Sequence, residues 1–144
     1  IIPAPMQPDA PLATPFSHWL RVYWEDTDAG GVVFYANYLK FFERARTEWL
    51  RALGIHQRAL REQTGGQFVV AESSVKYLRP ARLDDELIVT ARLQEAGRAG
   101  MLIGQQAWLG QGLLAEARIR IGWVDATTMK PARIPSDILH KLKA

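Results

Sequence analysis

The spacing of apolar residues changes along the chain, from a helical repeat in the first half to alternation in the second. Between Asn37 and Gly54, apolar side chains recur every three or four residues, which predicts one long amphipathic helix. Asn37 is a favourable N-cap residue and Gly54 is a favourable residue after a helix C-terminus. The helix is therefore predicted to begin near Asn37 and to end at Gly54. The expected buried stripe is Tyr38, Phe41, Phe42, Ala45, Trp49, Leu50 and Leu53, and the expected exposed remainder carries Lys40, Glu43, Arg44, Arg46 and Glu48.

The second half of the chain predicts β-strands. After a shorter helical stretch at Gln57–Glu62, apolar and polar residues alternate, as they do in strands with one buried face. The connections at Gly97–Gly100 and Gly110–Gly112 are too short for parallel crossovers, so the strands that they join form antiparallel hairpins. A strand is predicted before the long helix at Trp19–Trp24, later strands at Phe68–Leu78, Glu86–Ala96, Met101–Leu109 and Leu113–Asp125, and a last short helix at Ser136–Leu142.

This order of elements predicts an α+β fold in which a long helix packs against a curved antiparallel sheet of about five strands. The chain has 144 residues, enough for one domain with a substantial buried core. We expect that domain at residues 17–144. The first 16 residues hold five of the eight prolines and no basic residue, so we expect a flexible Pro-rich tail and not a signal peptide.

Charge and composition narrow the functional classes. The 18 basic and 15 acidic residues give a net charge of +3, and the basic residues are spread along the chain, so a nucleic-acid interface is not expected. The absence of cysteine excludes disulfides, thiolate catalysis and cysteine-bound zinc, and it fits a cytoplasmic location. No apolar run approaches the ~20 residues of a membrane span. The histidines lack the spacing of metal ligands, so no metal is expected; they are His18, His56 and His140.

Three carboxylates, Glu25, Asp26 and Asp28, are followed at once by the small residues of Ala29–Gly31. They either decorate a solvated loop or hold one acid at the edge of an apolar pocket. The small residues let backbone N–H groups approach a ligand closely, and the following helix adds partial positive charge at its N-terminus. A carboxylate beside such donors suits acyl transfer, because the N–H groups stabilise the developing oxyanion. The spacing does not select among the three acids.

A close resemblance to hotdog-fold acyl-CoA thioesterases is carried by the segment RVYWEDTDAGGVVFYANYLKFFERARTEWLRALGI. The most similar group is the 4-hydroxybenzoyl-CoA thioesterase family and its bacterial relatives associated with the Tol–Pal system. The resemblance continues through FVVAESSVKYLRPARLDDELIV and TMKPARIPSDI, and so covers nearly everything after the tail. It implies a long helix wrapped by an antiparallel sheet, and a homo-oligomer, dimer or homotetramer, with active sites at the subunit interface.

The resemblance also implies roles for individual residues. Asp28 matches the family's catalytic carboxylate, the nucleophile or general base that hydrolyses an acyl-CoA to a free acid and CoA, without a cofactor. Amide groups of the Gly30–Phe34 stretch are the candidate oxyanion donors. Tyr35 stands where the Tol–Pal relatives usually carry His, which weakens any transfer of their short-chain preference to this chain. The expected substrate-binding residues are Gly30, Gly31, Val33, Phe34, Tyr35, Arg79 and Arg82, the two arginines as contacts for the nucleotide of CoA.

Other functions remain open at this point. Acyl carrier protein is a possible alternative carrier of the acyl group. A non-catalytic binding module for acyl thioesters or acyl carrier protein, in lipid or envelope metabolism, has the same fold and pocket, and Asp28 contributes nothing to turnover in it. A dehydratase of the same fold is disfavoured, because the motif helix contains no histidine. The acyl group is not determined by the sequence.

Overall fold

The structure is a computed structural model that describes residues 15–144. In that part of the chain, one long helix packs against a five-stranded antiparallel sheet, which confirms the predicted α+β hotdog fold, and no helix is long and apolar enough to cross a membrane. The tail predicted for residues 1–16 lies almost entirely outside the described residues. The strands are β1 (Phe16–Arg21), β2 (Gly66–Tyr77), β3 (Glu86–Ala96), β4 (Gly100–Leu109) and β5 (Gly112–Asp125), and the helices are α1 (Tyr38–Ala52), α2 (Gln57–Thr64) and α3 (Ser136–Lys143).

The sheet has the strand order β1-β3-β4-β5-β2, so β1 and β2 are its two edges. Strands β3, β4 and β5 are joined by the two predicted hairpins, and Gly110 takes a left-handed φ of 59° in the second turn. Strand β2 pairs with the far side of β5 along its length. The bounds of α2, α3 and the four later strands lie within two residues of the prediction, because alternation and glycine turns are local signals.

Strand β1 begins and ends three residues earlier than predicted. Beyond the strand, the chain leaves the sheet and forms a 3₁₀ turn at Trp24–Asp26. The carboxylate of Asp26 accepts a hydrogen bond from the N–H of Tyr23 at 2.8 Å. This side-chain bond competes with strand pairing for a backbone donor, so the strand ends where the acidic loop begins.

Helix α1 buries the predicted apolar stripe against β1, β3 and β4. Phe41 and Phe42 are fully buried at the centre of the core. Complete burial of one such side chain contributes about 1.5–3 kcal/mol to stability. Leu53 packs against the edge of the same cluster, and Gly54 follows the helix with a φ of 83°, as the sequence predicted.

Arg46 is buried, so the prediction of an exposed position is wrong. It lies one turn after Phe42, on the face of α1 that meets the sheet. Its Nη1 donates a hydrogen bond to Oε1 of Gln105 on β4 at 3.0 Å. The Nε2 of Gln105 in turn donates to the backbone oxygens of Phe42 at 3.0 Å and Thr90 at 3.1 Å. A polar side chain distant in the sequence therefore accommodates this arginine in the core.

Gly66 is a position where the structure leaves no room for a side chain. A Cβ atom at Gly66 would lie 2.3 Å from Cζ2 of the buried Trp123, whereas a Cβ at Gly97 would lie 3.9 Å from its nearest neighbour. We expect Gly66→Ala to lower the free energy of unfolding by about 1–3 kcal/mol through overpacking, measured by urea denaturation. The matched variant Gly97→Ala should change it by less than about 0.5 kcal/mol. Equal effects of the two variants would contradict the close approach of Trp123.

Candidate active site

The loop between β1 and α1 carries the three acids of the motif, and the structure separates their roles. Asp26 is buried, with 4% of its surface exposed, whereas the other two acids are exposed. Its Oδ2 accepts the N–H of Tyr23 at 2.8 Å, and its Oδ1 accepts a hydrogen bond from Nδ2 of Asn37 at 2.9 Å. Asp26 therefore ties the start of the loop to the start of the long helix.

Asn37 stands at the N-cap position of α1, as predicted, but its side chain does not cap the helix. Its side chain makes no capping hydrogen bond, and a 3₁₀ turn at Tyr35–Asn37 precedes the helix. The amide of Asn37 donates instead to the carboxylate of Asp26. The 3₁₀ turn already supplies a backbone acceptor, the oxygen of Tyr35, for the N–H of Tyr38, whereas the buried carboxylate of Asp26 requires donors.

Asp28 has one oxygen held by the loop and one open. Its Oδ1 accepts the N–H of Gly30 at 2.8 Å and, more weakly, that of Val32 at 3.4 Å. Its Oδ2 has no hydrogen-bond donor within residues 15–144. The backbone reinforces this geometry, because the N–H of Asp28 donates to the oxygen of Val32 at 2.8 Å. The loop therefore orients the carboxylate and leaves one oxygen available to a ligand.

Gly30 and Gly31 shape the turn that holds Asp28. Gly31 has a φ of 80°, a conformation that residues with a Cβ atom rarely adopt. A Cβ at Gly30 would lie 3.3 Å from Oδ1 of Asp28. The structure shows that the glycine pair sets the backbone around the carboxylate, and its contact with substrate stays a prediction.

The loop is anchored to the connection between β2 and β3. The N–H of Val33 donates to the oxygen of Ala81 at 2.8 Å, and Val32 forms an antiparallel bridge with Arg82. The N–H of Ala81 donates to the hydroxyl of Tyr38 on α1 at 3.2 Å. The side chain of Val33 is buried in the core, so it supports the loop from below. The acidic loop, the β2–β3 connection and the start of α1 therefore meet at one place.

Most backbone donors of the loop are already occupied. The amides of Glu25, Ala29, Tyr35 and Ala36 have no acceptor within the described part of the chain, and those of Tyr35 and Ala36 lie in the first turn of the 3₁₀ helix that leads into α1. Such orphan N–H groups carry the partial positive charge of a helix start. The occupied amides are Gly30 and Val32 on the carboxylate of Asp28, Gly31 on the backbone oxygen of Asp28, Val33 on Ala81 and Phe34 on Asp26.

An aromatic group lies beside the loop. Tyr35 contacts Phe34, with ring centroids 4.9 Å apart, and Tyr77 at the end of β2, with centroids 6.0 Å apart. Tyr77 also packs edge-on against the buried Tyr38 at 5.6 Å. Burial raises the pKa of Tyr38. It also raises the pKa of Tyr77, which is less buried, so both phenols stay protonated at neutral pH. The exposed faces of Phe34, Tyr35 and Tyr77 form an apolar surface with hydrogen-bonding hydroxyls.

The two predicted nucleotide contacts lie in different places. Arg82 is exposed and its backbone pairs with the acidic loop, and its N–H donates to Oδ2 of Asp85 at 2.8 Å. Arg79 is exposed against the β4–β5 turn, where a Cβ at Gly112 would lie 3.1 Å from its Nη1. Neither guanidinium forms an ion pair with a carboxylate in residues 15–144. The structure therefore brings Arg82 to the loop and places Arg79 further along the same connection.

Sequence reasoning missed three residues of this site. The sequence predicts a cap at Asn37 and a strand residue at Tyr77, and its pattern gives no role to Ala36. Tyr77 stands two positions before Arg79, in a stretch already singled out for its arginines, and that proximity was the available signal. The free amide of Ala36 had no signal, because it depends on which neighbouring donors the folded loop consumes.

Residues 22–142 match the family model of the Thioesterase-like superfamily. The match extends over most of the chain and includes every element that forms the site. The chain therefore belongs to this superfamily, which confirms the predicted resemblance and the predicted class of enzyme, a thioester hydrolase.

Individual relatives agree with the family match. The acyl-CoA thioesterase YbgC of Haemophilus influenzae is 43% identical over 131 residues, which cover 89% of this chain and 96% of the relative. The acyl-CoA thioester hydrolase YbgC of Escherichia coli O6:H1 is 40% identical over 134 residues, 92% of this chain and 99% of the relative. The crystal structure of a probable thioesterase from Bartonella henselae has a TM-score of 0.79 and 33% identity, and covers 85% of this chain and 100% of that one.

The hydrogen bonds of Asp26 predict a specific mutational pattern. We expect Asp26→Asn to lower the free energy of unfolding by about 1–3 kcal/mol, because its new NH₂ group faces a donor from Asn37 or Tyr23. The double variant Asp26→Asn/Asn37→Asp should recover most of that loss, since the amide at position 26 then donates to the new carboxylate at position 37. Urea denaturation measures both effects, and the exposed Glu25→Gln is the control. A double variant no more stable than Asp26→Asn would contradict the role of this bond.

Proposed function

We propose that the protein hydrolyses acyl-CoA thioesters to a free carboxylic acid and CoA, with Asp28 as the catalytic carboxylate. The observation that carries this proposal is the state of its two oxygens. Oδ1 is fixed by the N–H of Gly30, and Oδ2 is open on an exposed loop next to an aromatic surface. A carboxylate that is oriented but not consumed by the fold is suited to react with, or activate water for, a bound ester.

The oxyanion donors in this proposal are the amides of Tyr35 and Ala36. They replace the Gly30–Phe34 amides expected from the sequence, because those groups already donate to acceptors within the protein. A tetrahedral intermediate places a negative charge on the former carbonyl oxygen, and fixed donors at that position typically contribute about 10²–10³-fold in rate. The partial charge of the 3₁₀ helix start adds to this stabilisation.

Two routes fit the open oxygen of Asp28. In the covalent route, it attacks the thioester carbon, the C–S bond breaks, CoA leaves as a thiolate that takes up a proton, and water hydrolyses the resulting anhydride. In the general-base route, Asp28 takes a proton from water as that water attacks the same carbon, and it later transfers the proton to the leaving sulfur. Both routes yield one acid and one thiol, and both use the same oxyanion donors.

The surroundings of Asp28 support a site for both halves of the substrate. Arg82 beside the loop and Arg79 further along offer unpaired positive charge for the phosphates of CoA. Phe34, Tyr35 and Tyr77 offer apolar surface and hydroxyls for the acyl group. Acyl carrier protein is an alternative source of the same thioester. Homotetrameric assembly and a cytoplasmic location follow from the family resemblance and the absence of cysteine and stay predictions.

The role of Asp28 is tested by release of free thiol from short aliphatic, long aliphatic and aromatic acyl-CoAs. We expect Asp28→Asn to lower kcat by about 10²–10⁴-fold, because the amide keeps the bond to Gly30 but cannot attack or accept a proton. Glu25→Gln, an exposed acid of the same loop, is the control and should keep wild-type activity. The chain has no cysteine, so it adds no thiol background. Activity of Asp28→Asn equal to wild type would exclude Asp28 as the catalyst, whereas no turnover by either protein would favour a carrier-protein substrate or a binding module.

A single turnover in oxygen-18 water tests the covalent route. Label in the carboxylate of Asp28 requires that water opened an anhydride at the Asp28 carbon and so supports the covalent route, whereas label only in the product acid is expected of general-base catalysis and of an anhydride opened at its acyl carbon.

The arginines are tested by charge reversal. We expect the double variant Arg79→Glu/Arg82→Glu to raise KM for acyl-CoA about tenfold, with a much smaller change in kcat, because lost uniform binding appears in KM. The effect should shrink at high ionic strength, which screens exposed charges. Arg58→Glu on the exposed face of α2 is the matched control. An unchanged KM in the double variant would exclude these arginines as nucleotide contacts.

A further inference from the structure

The amides of Tyr35 and Ala36 need support from outside their own turn. Neither N–H has an acceptor in the part of the chain that the structure describes, so no hydrogen bond of its own fixes its direction. The flanking backbone is held, because the N–H of Asn37 donates to the oxygen of Phe34 at 2.8 Å and the N–H of Phe34 donates to the oxygen of Asp26 at 3.1 Å. Oxyanion donors are effective when their orientation is set before the substrate binds. A contact that fixes the side chain of Tyr35 therefore bears directly on this pair of donors.

A ring from another element of the fold meets Tyr35. Tyr77, the last residue of β2, lies edge-on to Tyr35, with ring centroids 6.0 Å apart and an interplanar angle of 90°. The other ring contact of Tyr35, at 4.9 Å, is its neighbour Phe34, which belongs to the same loop and is half exposed. Tyr35 is exposed over 63% of its surface, so little other packing restrains it. Among the described aromatic rings, Tyr77 provides the contact to Tyr35 from outside the loop.

Tyr77 is itself held by the sheet and by the core. It pairs with Ala115 on β5, and the N–H of the next residue, Leu78, donates to the oxygen of Leu114 at 2.8 Å. Its ring lies 5.6 Å from that of Tyr38, which is buried in α1. Tyr77 therefore connects a fixed part of the fold to the exposed ring at the start of the 3₁₀ turn.

We propose that Tyr77 is a positioning residue of the thioesterase site. Its ring holds the ring of Tyr35, and this contact keeps the amides of Tyr35 and Ala36 in the orientation that receives the oxyanion. This role rests on the proposed function, because it concerns donors that the proposed mechanism uses. An edge-to-face pair of rings is more stable than its buried area accounts for, so the contact is strong enough to bias the turn. Tyr77 acts here through Tyr35 and not on the reacting atoms.

The effect on the donors is measured first, without any substrate. Backbone nitrogen-15 relaxation gives order parameters for the amides of Tyr35 and Ala36 in wild type and variants. We expect values near the ~0.85 of rigid backbone in wild type and in Tyr77→Phe, which keeps the ring, and values below about 0.6 in Tyr77→Leu. Trp19→Leu, which removes an exposed ring from β1, is the control and should leave both amides rigid. Equal order parameters in Tyr77→Leu and wild type would overturn the proposal.

Turnover then tests the consequence for catalysis, with butyryl-CoA and benzoyl-CoA as the short and the aromatic substrate. We expect Tyr77→Leu to lower kcat by about 3–10-fold on both, with a smaller change in KM, because the donors act in the transition state. In a Tyr35→Leu background, the same substitution should lower kcat by less than about twofold, since the contact is already absent. Additive losses, or a loss with benzoyl-CoA alone, would overturn the proposal and assign Tyr77 to direct contact with the acyl group.

The failure of this role and the failure of the proposed function give different results. No turnover of any acyl-CoA by the wild type would overturn the proposed function and, with it, the catalytic part of this role. Wild-type turnover together with rigid Tyr35 and Ala36 amides in Tyr77→Leu would overturn the role of Tyr77 alone. Tyr35→Leu removes the same contact from its exposed side, so it should fold even where Tyr77→Leu does not. A rigid Ala36 amide in folded Tyr35→Leu, with folding checked by circular dichroism, would also overturn the role of Tyr77.

Discussion

The candidate active site depends on the hydrogen bonds that the buried Asp26 accepts. The carboxylate of Asp26 accepts one hydrogen bond from Tyr23, just after β1, and one from Asn37, just before α1. Its backbone oxygen accepts a third, from the N–H of Phe34 at 3.1 Å. These bonds close the chain between β1 and α1 into one unit. A buried carboxylate persists only when such donors surround it, so the same interaction that satisfies its charge also fixes the geometry of the loop.

As a consequence, the neighbouring acids Asp26 and Asp28 have different roles. Both carboxylate oxygens of Asp26 accept hydrogen bonds from the protein, whereas Asp28 has one oxygen without a donor in residues 15–144, because the amides of Gly30 and Val32 both bond to its Oδ1. Most amides of the loop donate hydrogen bonds within the protein, and those of Tyr35 and Ala36 are the donors left at the start of the helix. The reactive groups of the site are therefore those that remain once the fold has satisfied its own hydrogen bonds.

The sequence predicted the features that depend on local spacing. Strand β3 occupies the predicted Glu86–Ala96 without change, and the apolar stripe of α1 is buried as expected. The failures share a different cause, a polar partner distant in the sequence. Asn37 has the composition of a cap, but its amide bonds to Asp26, and Arg46 has the composition of a surface residue, but Gln105 meets it from β4. The free amides of the site are equally invisible to periodicity, because they are defined by what their neighbours bind.

The two buried charged residues Asp26 and Arg46 differ in how completely the protein satisfies their hydrogen-bonding groups. Asp26 has protein donors on both carboxylate oxygens, so its burial is explained by the architecture that it holds together. Arg46 has one acceptor in residues 15–144 for its five donors and borders a cavity lined by both polar and apolar side chains. Replacement of a fully paired buried charge disturbs structure, whereas an incompletely paired one has capacity left for a ligand. The accounting of donors and acceptors thus distinguishes a charge that serves the fold from one that is available for recognition.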